Sequence, residues 1–248
     1  MNRQILYDNQ DFFDGYFALR NQDINYNDLL EQPAMAELLP NLSGKAVLDL
    51  GCGFGQNCKD FVCRGAKRVV GVDISEKMLS VAKDKSAAPE IQYRNMSMTD
   101  IASMDETFDF VYSSLAFHYV EDFSKLMTDI YNLLAPNGML LFSQEHPIPT
   151  ATIDGLGHYN KDENGIPVSY TFSNYSQSGK REIHWFIDGV VKYHRPMGEL
   201  LTAVARAGFT IEVVCEPTPK DWAVKKLPAI AKEFIKPSFL IVQARKKA

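Results

Sequence analysis

From Lys45 to Gln144, short runs of β-branched and other apolar residues alternate with longer stretches in which apolar residues recur at helical spacing. This is the pattern of β-α-β units built around a parallel sheet. Ala46 to Leu50, Val69 to Asp73, Ile91 to Arg94, Phe108 to Ser113 and Met139 to Ser143 read as five strands. Gly55 to Arg64, Glu76 to Lys85 and Phe123 to Leu134 read as the helices between them, the second opened by Ser75 as N-cap and the third closed by Pro136-Asn137-Gly138. Each helix follows a strand, so right-handed crossovers put helices on both faces of the sheet.

The alternation stops after Glu145. Residues 146 to 195 are rich in Gly, Pro, Tyr and Ser and read as an insertion or lid, with a hairpin turning at Asp188-Gly189 between Ile183 to Ile187 and Val190 to Tyr193. A helix then runs from Met197 to Ala207, ended by Gly208, and strands from Thr210 to Cys215 and Phe239 to Arg245 add two members to the sheet. Residues 1 to 44 are helical in tendency and form an N-terminal cap, with Phe12, Phe13, Tyr16 and Phe17 on neighbouring turns and Pro40 and Gly44 marking entry to the sheet. One domain is expected, with 45 to 145 as its ligand-binding core and 196 to 248 completing the sheet. The class is α/β, doubly wound.

Composition narrows the function classes. The chain has 26 Lys plus Arg against 31 Asp plus Glu, a formal charge of −5, with the signs mixed along its length. The basic clusters, Lys225-Lys226 and Arg245-Lys246-Lys247, are too short for a nucleic-acid footprint. Cys52, Cys58, Cys63 and Cys215 lack zinc-ligand or disulfide-framework spacing, which fits a reduced, intracellular setting with no metal implied. The first eight residues contain no apolar signal core, and nowhere do 18 apolar residues run uninterrupted. A cytoplasmic protein without membrane or nucleic-acid partners is expected; its oligomeric state is not readable.

The strongest chemical signal is Val47-Leu48-Asp49-Leu50-Gly51-Cys52-Gly53-Phe54-Gly55, a buried strand running into a glycine-rich turn and then a helix. Such a turn lets backbone approach a nucleotide-like ligand, and the helix start offers free N–H groups. Its G-x-G-x-G spacing departs from the G-x-G-x-x-G of dinucleotide folds. Twenty-two residues after Gly51, Asp73 ends the second strand, where a carboxylate can accept both hydroxyls of an adenosine ribose. Asp73 could instead cap the helix near Ser75; the glycine turn upstream favours the ribose.

These segments resemble the class I S-adenosylmethionine-dependent methyltransferases, in particular small-molecule enzymes of the quinone-biosynthesis type. The resemblance rests on Val47 to Gly55, Val70-Gly71-Val72-Asp73-Ile74-Ser75 with Met78-Leu79, Phe108-Asp109-Phe110-Val111, and Leu133-Leu134-Ala135-Pro136-Asn137-Gly138. Tyr7, Phe12-Phe13, Tyr16, Arg20, Ser113 to Tyr119 and Glu145-His146-Pro147 extend it more loosely to one bacterial subgroup. It implies a Rossmann-like, mostly parallel seven-stranded sheet with a C-terminal antiparallel strand, and S-adenosyl-L-methionine as cofactor. Asp49, Gly51, Cys52 and Gly53 would then surround the methionine end, Asp73 the ribose, and Ile74, Met78, Ser97 and Met98 the adenine. Ser97 stands where the family often has an acid. Tyr16 joins this cofactor set, and Arg20 is either the partner of the cofactor carboxylate or a solvated surface arginine.

Ligands of doubly wound sheets sit beyond the carboxyl ends of the strands, so Ser113, Leu115 and His118 are expected to face the reacting methyl. His118 is either a general base or a buried histidine satisfied by a backbone carbonyl. His146 is a second candidate for catalysis, while His184 and His194 read as structural or surface residues. Aromatic residues of the two flanking segments could wall the site against water and stabilise a sulfonium. The expected reaction is direct in-line methyl transfer to an oxygen, nitrogen or carbon of a small molecule. A nicotinamide-dependent oxidoreductase on the same fold and a non-catalytic adenosine binder are the alternatives.

Overall fold

The computed structural model describes residues 8–20, 24–153 and 157–247. A helix α1 (Gln10–Arg20), a π-helical turn (Asn27–Glu31) and α2 (Gln32–Glu37) precede the sheet. The alternating core follows as β1 (Ala46–Leu50), α3 (Gln56–Cys63), β2 (Arg68–Asp73), α4 (Glu76–Lys85), β3 (Ile91–Asn95), β4 (Phe108–Ser113), α5 (Phe123–Leu133) and β5 (Leu134–Glu145). Then come α6 (Pro147–Ala151), strands β6 (His158–Lys161), β7 (Pro167–Thr171), β8 (Gly179–Trp185) and β9 (Ile187–His194), helix α7 (Met197–Arg206), β10 (Phe209–Cys215), α8 (Asp221–Lys226) and β11 (Phe239–Lys246). Among the described residues no helix is long and apolar enough to cross a membrane.

Seven strands form the main sheet in the order β10-β11-β5-β4-β1-β2-β3. The pairs from β5 to β3 are parallel, and β11 runs antiparallel to both its neighbours. This is the expected doubly wound sheet with its reversed C-terminal strand. β1 is buried along its whole length because helices cover both faces, so alternation of apolar and polar positions is lost there. Leu48 and Leu50 enter one core layer with Phe108, Phe123 and Phe142, while Val47 enters the other with Phe61 and Phe110. α4 starts where Ser75 Oγ accepts the Met78 N–H at 3.1 Å, and α5 where Asp122 accepts the Lys125 N–H at 2.9 Å. These caps satisfy amides that a helix start leaves free.

The segment after β5 carries two antiparallel hairpins, β6-β7 and β8-β9. The second does not turn at Asp188-Gly189. Trp185 pairs with Ile187 and the chain reverses at Phe186, whose φ is +61°. Tertiary packing outweighs the turn preference of Asp-Gly: Phe186 and Trp185 meet Phe12 edge-on at 5.8 and 5.5 Å between ring centroids. Gly15 makes room, since a Cβ there would stand 2.6 Å from the Phe186 ring. α1 thus lies against the tip of this hairpin. Two further elements, α8 and a 3₁₀ helix over Pro228–Phe234, fall where no periodic run of apolar residues marks them.

Candidate functional site

β1 delivers the chain into a turn whose three glycines all have positive φ: Gly51 at +75°, Gly53 at +51° and Gly55 at +74°. The Gly51 and Cys52 N–H groups both donate to Val72 O, at 2.8 and 3.0 Å, which binds the turn to the end of β2. At Gly51 a Cβ would lie 2.6 Å from Ala116 Cβ, so only glycine fits. At Gly53 a Cβ would meet nothing within 4 Å; that residue borders open space.

The open space is a cavity of about 260 Å³ across the carboxyl ends of the strands. Asp73 stands on its wall and stitches turn and strand together, Oδ2 accepting the Gly53 N–H and Oδ1 the Ser75 N–H, both at 2.9 Å. Burial pushes its carboxyl above the usual range, against those amide bonds, which pull it down. Each oxygen keeps a further lone pair for a hydroxyl donor. Ile74, Met78, Ser97 and Met98 line the neighbouring wall. Ser97 Oγ lies 2.7 Å from Thr99 Oγ1 and accepts the Thr99 N–H at 3.2 Å.

Tyr16 and Arg20 of α1 reach the cavity from the covering side. Arg20 Nη2 donates to Gln56 Oε1 at 3.2 Å, but its buried Nη1 has no hydrogen-bond partner among the described residues. A buried guanidinium nitrogen left without an acceptor is unfavourable, and a ligand carboxylate would satisfy it. With the open approach at Gly53 and the acceptor capacity of Asp73, this donor set fits a ligand having a carboxylate at one end and ribose hydroxyls further along.

Leu115, His118, Tyr119, Glu145 and Trp185 also line the cavity, with the Trp185 ring 6.1 Å from that of Tyr16. His118 is buried, and its Nδ1 accepts the Glu145 N–H at 3.3 Å. That bond fixes the neutral tautomer with the proton on Nε2, which stands 4.0 Å from Glu145 Oε1. Burial lowers the imidazole to about 4, opposed by the Glu145 charge, so at neutral pH the ring is uncharged. The backbone partner of the ring is thus the Glu145 N–H and not the carbonyl expected of a structural histidine. Burial raises the Glu145 carboxyl, but Lys192, His118 and Lys236 together hold it below the usual range. Lys192 Nζ forms an ion pair with Glu145 and sits 5.0 Å from the Trp185 ring centre.

Three expected site residues lie off the cavity wall. Asp49 is buried beside α3, its Oδ2 taking the Cys58 thiol at 3.2 Å, and burial raises it to about 7. Ser113 donates to Leu50 O at 2.7 Å, joining β4 to β1. His146 caps α6 through Nδ1, which accepts the Ile148 N–H, and its Nε2 lies 2.7 Å from Glu216. His194 spans Thr150 and Tyr175, and His184 pairs with Asp188 on the surface. Glu145 was not among the expected site residues, although its place at the carboxyl end of the fifth strand is the signal that could have found it.

A fold of this class, with a glycine turn, a strand-end acid and a cavity above them, defines a nucleotide-cofactor enzyme. Comparison narrows it. Residues 48–142 match a methyltransferase domain family. The S-adenosylmethionine-dependent methyltransferase of Mesorhizobium loti is 38% identical, superposes with a TM-score of 0.81, and shares 87% of this chain and 97% of its own. An uncharacterized protein of Haemophilus influenzae is 38% identical over 99% of both chains. The ubiquinone biosynthesis O-methyltransferase of Pseudomonas syringae pv. tomato is 34% identical over 114 residues, 45% of this chain and 49% of its own. The chain belongs to the S-adenosylmethionine-dependent methyltransferases, and S-adenosylmethionine is its cofactor.

Proposed function

We propose that this enzyme methylates a small molecule in the cytoplasm, with the cofactor spanning Arg20 to Met78 and the acceptor held at the His118–Glu145 end of the same cavity. The observation that carries the reading is the unpartnered Nη1 of Arg20 in a cavity that also holds Gly53 and Asp73. Arg20 would take the carboxylate of the methionine moiety, the Gly51–Gly53 backbone would run beside it, and Asp73 would accept the ribose hydroxyls. Ile74, Met78, Ser97 and Met98 would enclose the adenine; Tyr16 and Leu115 would close the methionine side. When bound, S-adenosylmethionine supplies a methyl group on a sulfonium, whose thioether is a good leaving group.

The protein's own work is then positioning and exclusion of water. His118 would donate from Nε2 to one lone pair of an acceptor hydroxyl oxygen, the other lone pair would attack the methyl carbon as the thioether leaves, and Glu145 would accept the hydroxyl hydrogen. A donor and an ionised acceptor 4.0 Å apart suit a hydroxyl, whose oxygen has one lone pair for the donor and a second for the methyl carbon. Tyr119 and Trp185 add aromatic faces against an apolar part of the acceptor. Asp49, Ser113 and His146 would support the site from beneath rather than touch its ligands. The intracellular setting is supported by four free cysteines.

The test is incubation with S-adenosylmethionine carrying a labelled methyl group and fractionated cell extract. Label is expected in the low-molecular-weight fraction, and label confined to protein or nucleic acid would overturn the small-molecule reading.

A further inference from the structure

Glu31 has no solvent exposure and lies at the end of the π-helical turn, whose Asn27 lines the cavity. Such turns recur at functional sites. Its Oε1 accepts the hydroxyls of Ser143 at 2.5 Å and Ser114 at 2.9 Å, and its Oε2 accepts the Gln32 amide at 2.8 Å. These bonds reach from the N-terminal segment to the carboxyl ends of β4 and β5. The Ser143 hydroxyl hydrogen is committed to Glu31, so Oγ presents a lone pair on its other side. The Leu115 N–H takes that lone pair at 3.0 Å while also reaching Ser143 O at 3.1 Å.

Leu115 needs such a hold. Its φ is +52°, a left-handed conformation that is unfavourable for a residue with a Cβ and a branched side chain. Leu115 and the following Ala116 both line the cavity, and Ala116 packs where a Cβ on Gly51 would go. If Leu115 relaxed to negative φ, the segment that forms this wall and abuts the glycine turn would swing. A buried carboxylate is itself expensive, and burial works against its ionisation here. An acceptor-only group surrounded by three donors is nevertheless suited to orienting a hydroxyl in one direction.

We infer that Glu31 is a positioning residue for the cofactor cavity: through the Ser143 hydroxyl it holds Leu115 in the left-handed conformation that shapes the wall beside Gly51. Glu31 does not itself line the cavity. The inference rests on the reading that this cavity holds the cofactor.

The experiment is a double-mutant cycle read by calorimetric titration of S-adenosylhomocysteine, using Glu31→Ala, Leu115→Gly and the two combined. Glycine adopts positive φ without help, so it removes the need for the hold. Glu31→Ala should weaken binding about tenfold in the wild-type background, and less than about twofold in the Leu115→Gly background. Glu31→Gln keeps an oxygen for both serine hydroxyls and should restore affinity to within about threefold of wild type. The Leu115 ¹³Cα shift in labelled protein reports the backbone directly. It should leave its left-handed value in Glu31→Ala and keep it in Glu31→Gln.

Equal weakening in both backgrounds, an unmoved Leu115 shift, or unchanged affinity in folded Glu31→Ala would each overturn the inference. If Glu31→Ala does not fold, Ser143→Ala crossed with Leu115→Gly runs the same cycle with the same deciding outcomes. Failure of the underlying site is separable: unchanged affinity in both Arg20→Ala and Asp73→Ala would remove the cavity assignment itself.

Discussion

Replacing Asp73 by alanine separates what this carboxylate does for the fold from what it would do for the cofactor. Each oxygen takes one backbone amide at 2.9 Å, from Gly53 and from Ser75. Hydrogen bonds to charged groups contribute about 1.5 to 3 kcal/mol each. The raised carboxyl means that ionisation here is itself unfavourable, and this offsets part of that gain. A net stability loss of about 1 to 3 kcal/mol follows, lowering Tm by roughly 2 to 4 °C per kcal/mol in a chain of this size. The expected loss of affinity is larger than a destabilised turn would produce. Losing even one ribose hydroxyl bond at the low end, ~1.5 kcal/mol, weakens binding about tenfold. Titration of S-adenosylhomocysteine beside a thermal melt measures both. Asp73→Asn is the control, since its amide can serve one of the two backbone donors but faces the other with an N–H. Unchanged affinity in a folded Asp73→Ala protein would refute the placing of the ribose at this carboxylate.

Asp49 is raised by burial from 3.8 to about 7, so its neutral form suits the fold, and the stability it contributes is present at low pH and lost as pH rises through 7. Asp49→Asn should therefore gain stability relative to wild type between pH 5 and pH 8 in paired melts, and a constant difference across that range would contradict the buried position. His118 is lowered to about 4; its contribution is in place above 6.5 and lost as pH falls through 4, and its imidazole ¹H resonance should stay flat from pH 6 to 8. A midpoint near 6.5 would contradict a ring held neutral by burial. If α1 and the β8-β9 hairpin act as a cover, their amides should exchange faster without S-adenosylhomocysteine than with it; equal protection in both states would exclude the cover.

The sheet and the glycine turn were legible in the sequence because their causes are local. A buried strand, a turn that needs three residues of positive φ, and an acid at the next strand end each leave a short signature. What failed to transfer was direction. In a strand successive side chains point to opposite faces, and Asp49 follows Val47 toward α3 and Cys58 while Ser113 turns toward Leu50. Both lie near the site in sequence, yet the residues facing the cavity come mostly from beyond the strand ends. The Phe186 turn was illegible for another reason: Gly15, more than 170 residues earlier, provides the space for it. Glu31 gave no signal at all, since its partner Ser143 is 112 residues away.

The walls of the cavity are built from different parts of the chain, and this has a consequence for how acceptor choice is set. Gly51 and Gly53 belong to a turn tied to β2 by two backbone hydrogen bonds to Val72 O and by the Gly53 N–H on the Asp73 carboxylate, so their positions and that of Asp73 follow from the sheet. Elsewhere on the wall, His118 lies in the turn after β4 and Glu145 ends β5, while Trp185 and Val191 come from the β8-β9 hairpin, as does Lys192, the ion-pair partner of Glu145. Lys192 keeps Glu145 ionised while lying between the Trp185 and Tyr119 rings. On the proposed reading the hairpin therefore decides both the shape and the charge balance met by the acceptor. Substitution of Lys192 would change which molecule is methylated and leave the glycine turn, fixed by the sheet, as it is, whereas substitution of Trp185, whose ring also packs on Phe12 and Tyr16 of α1, would disturb the cofactor side as well.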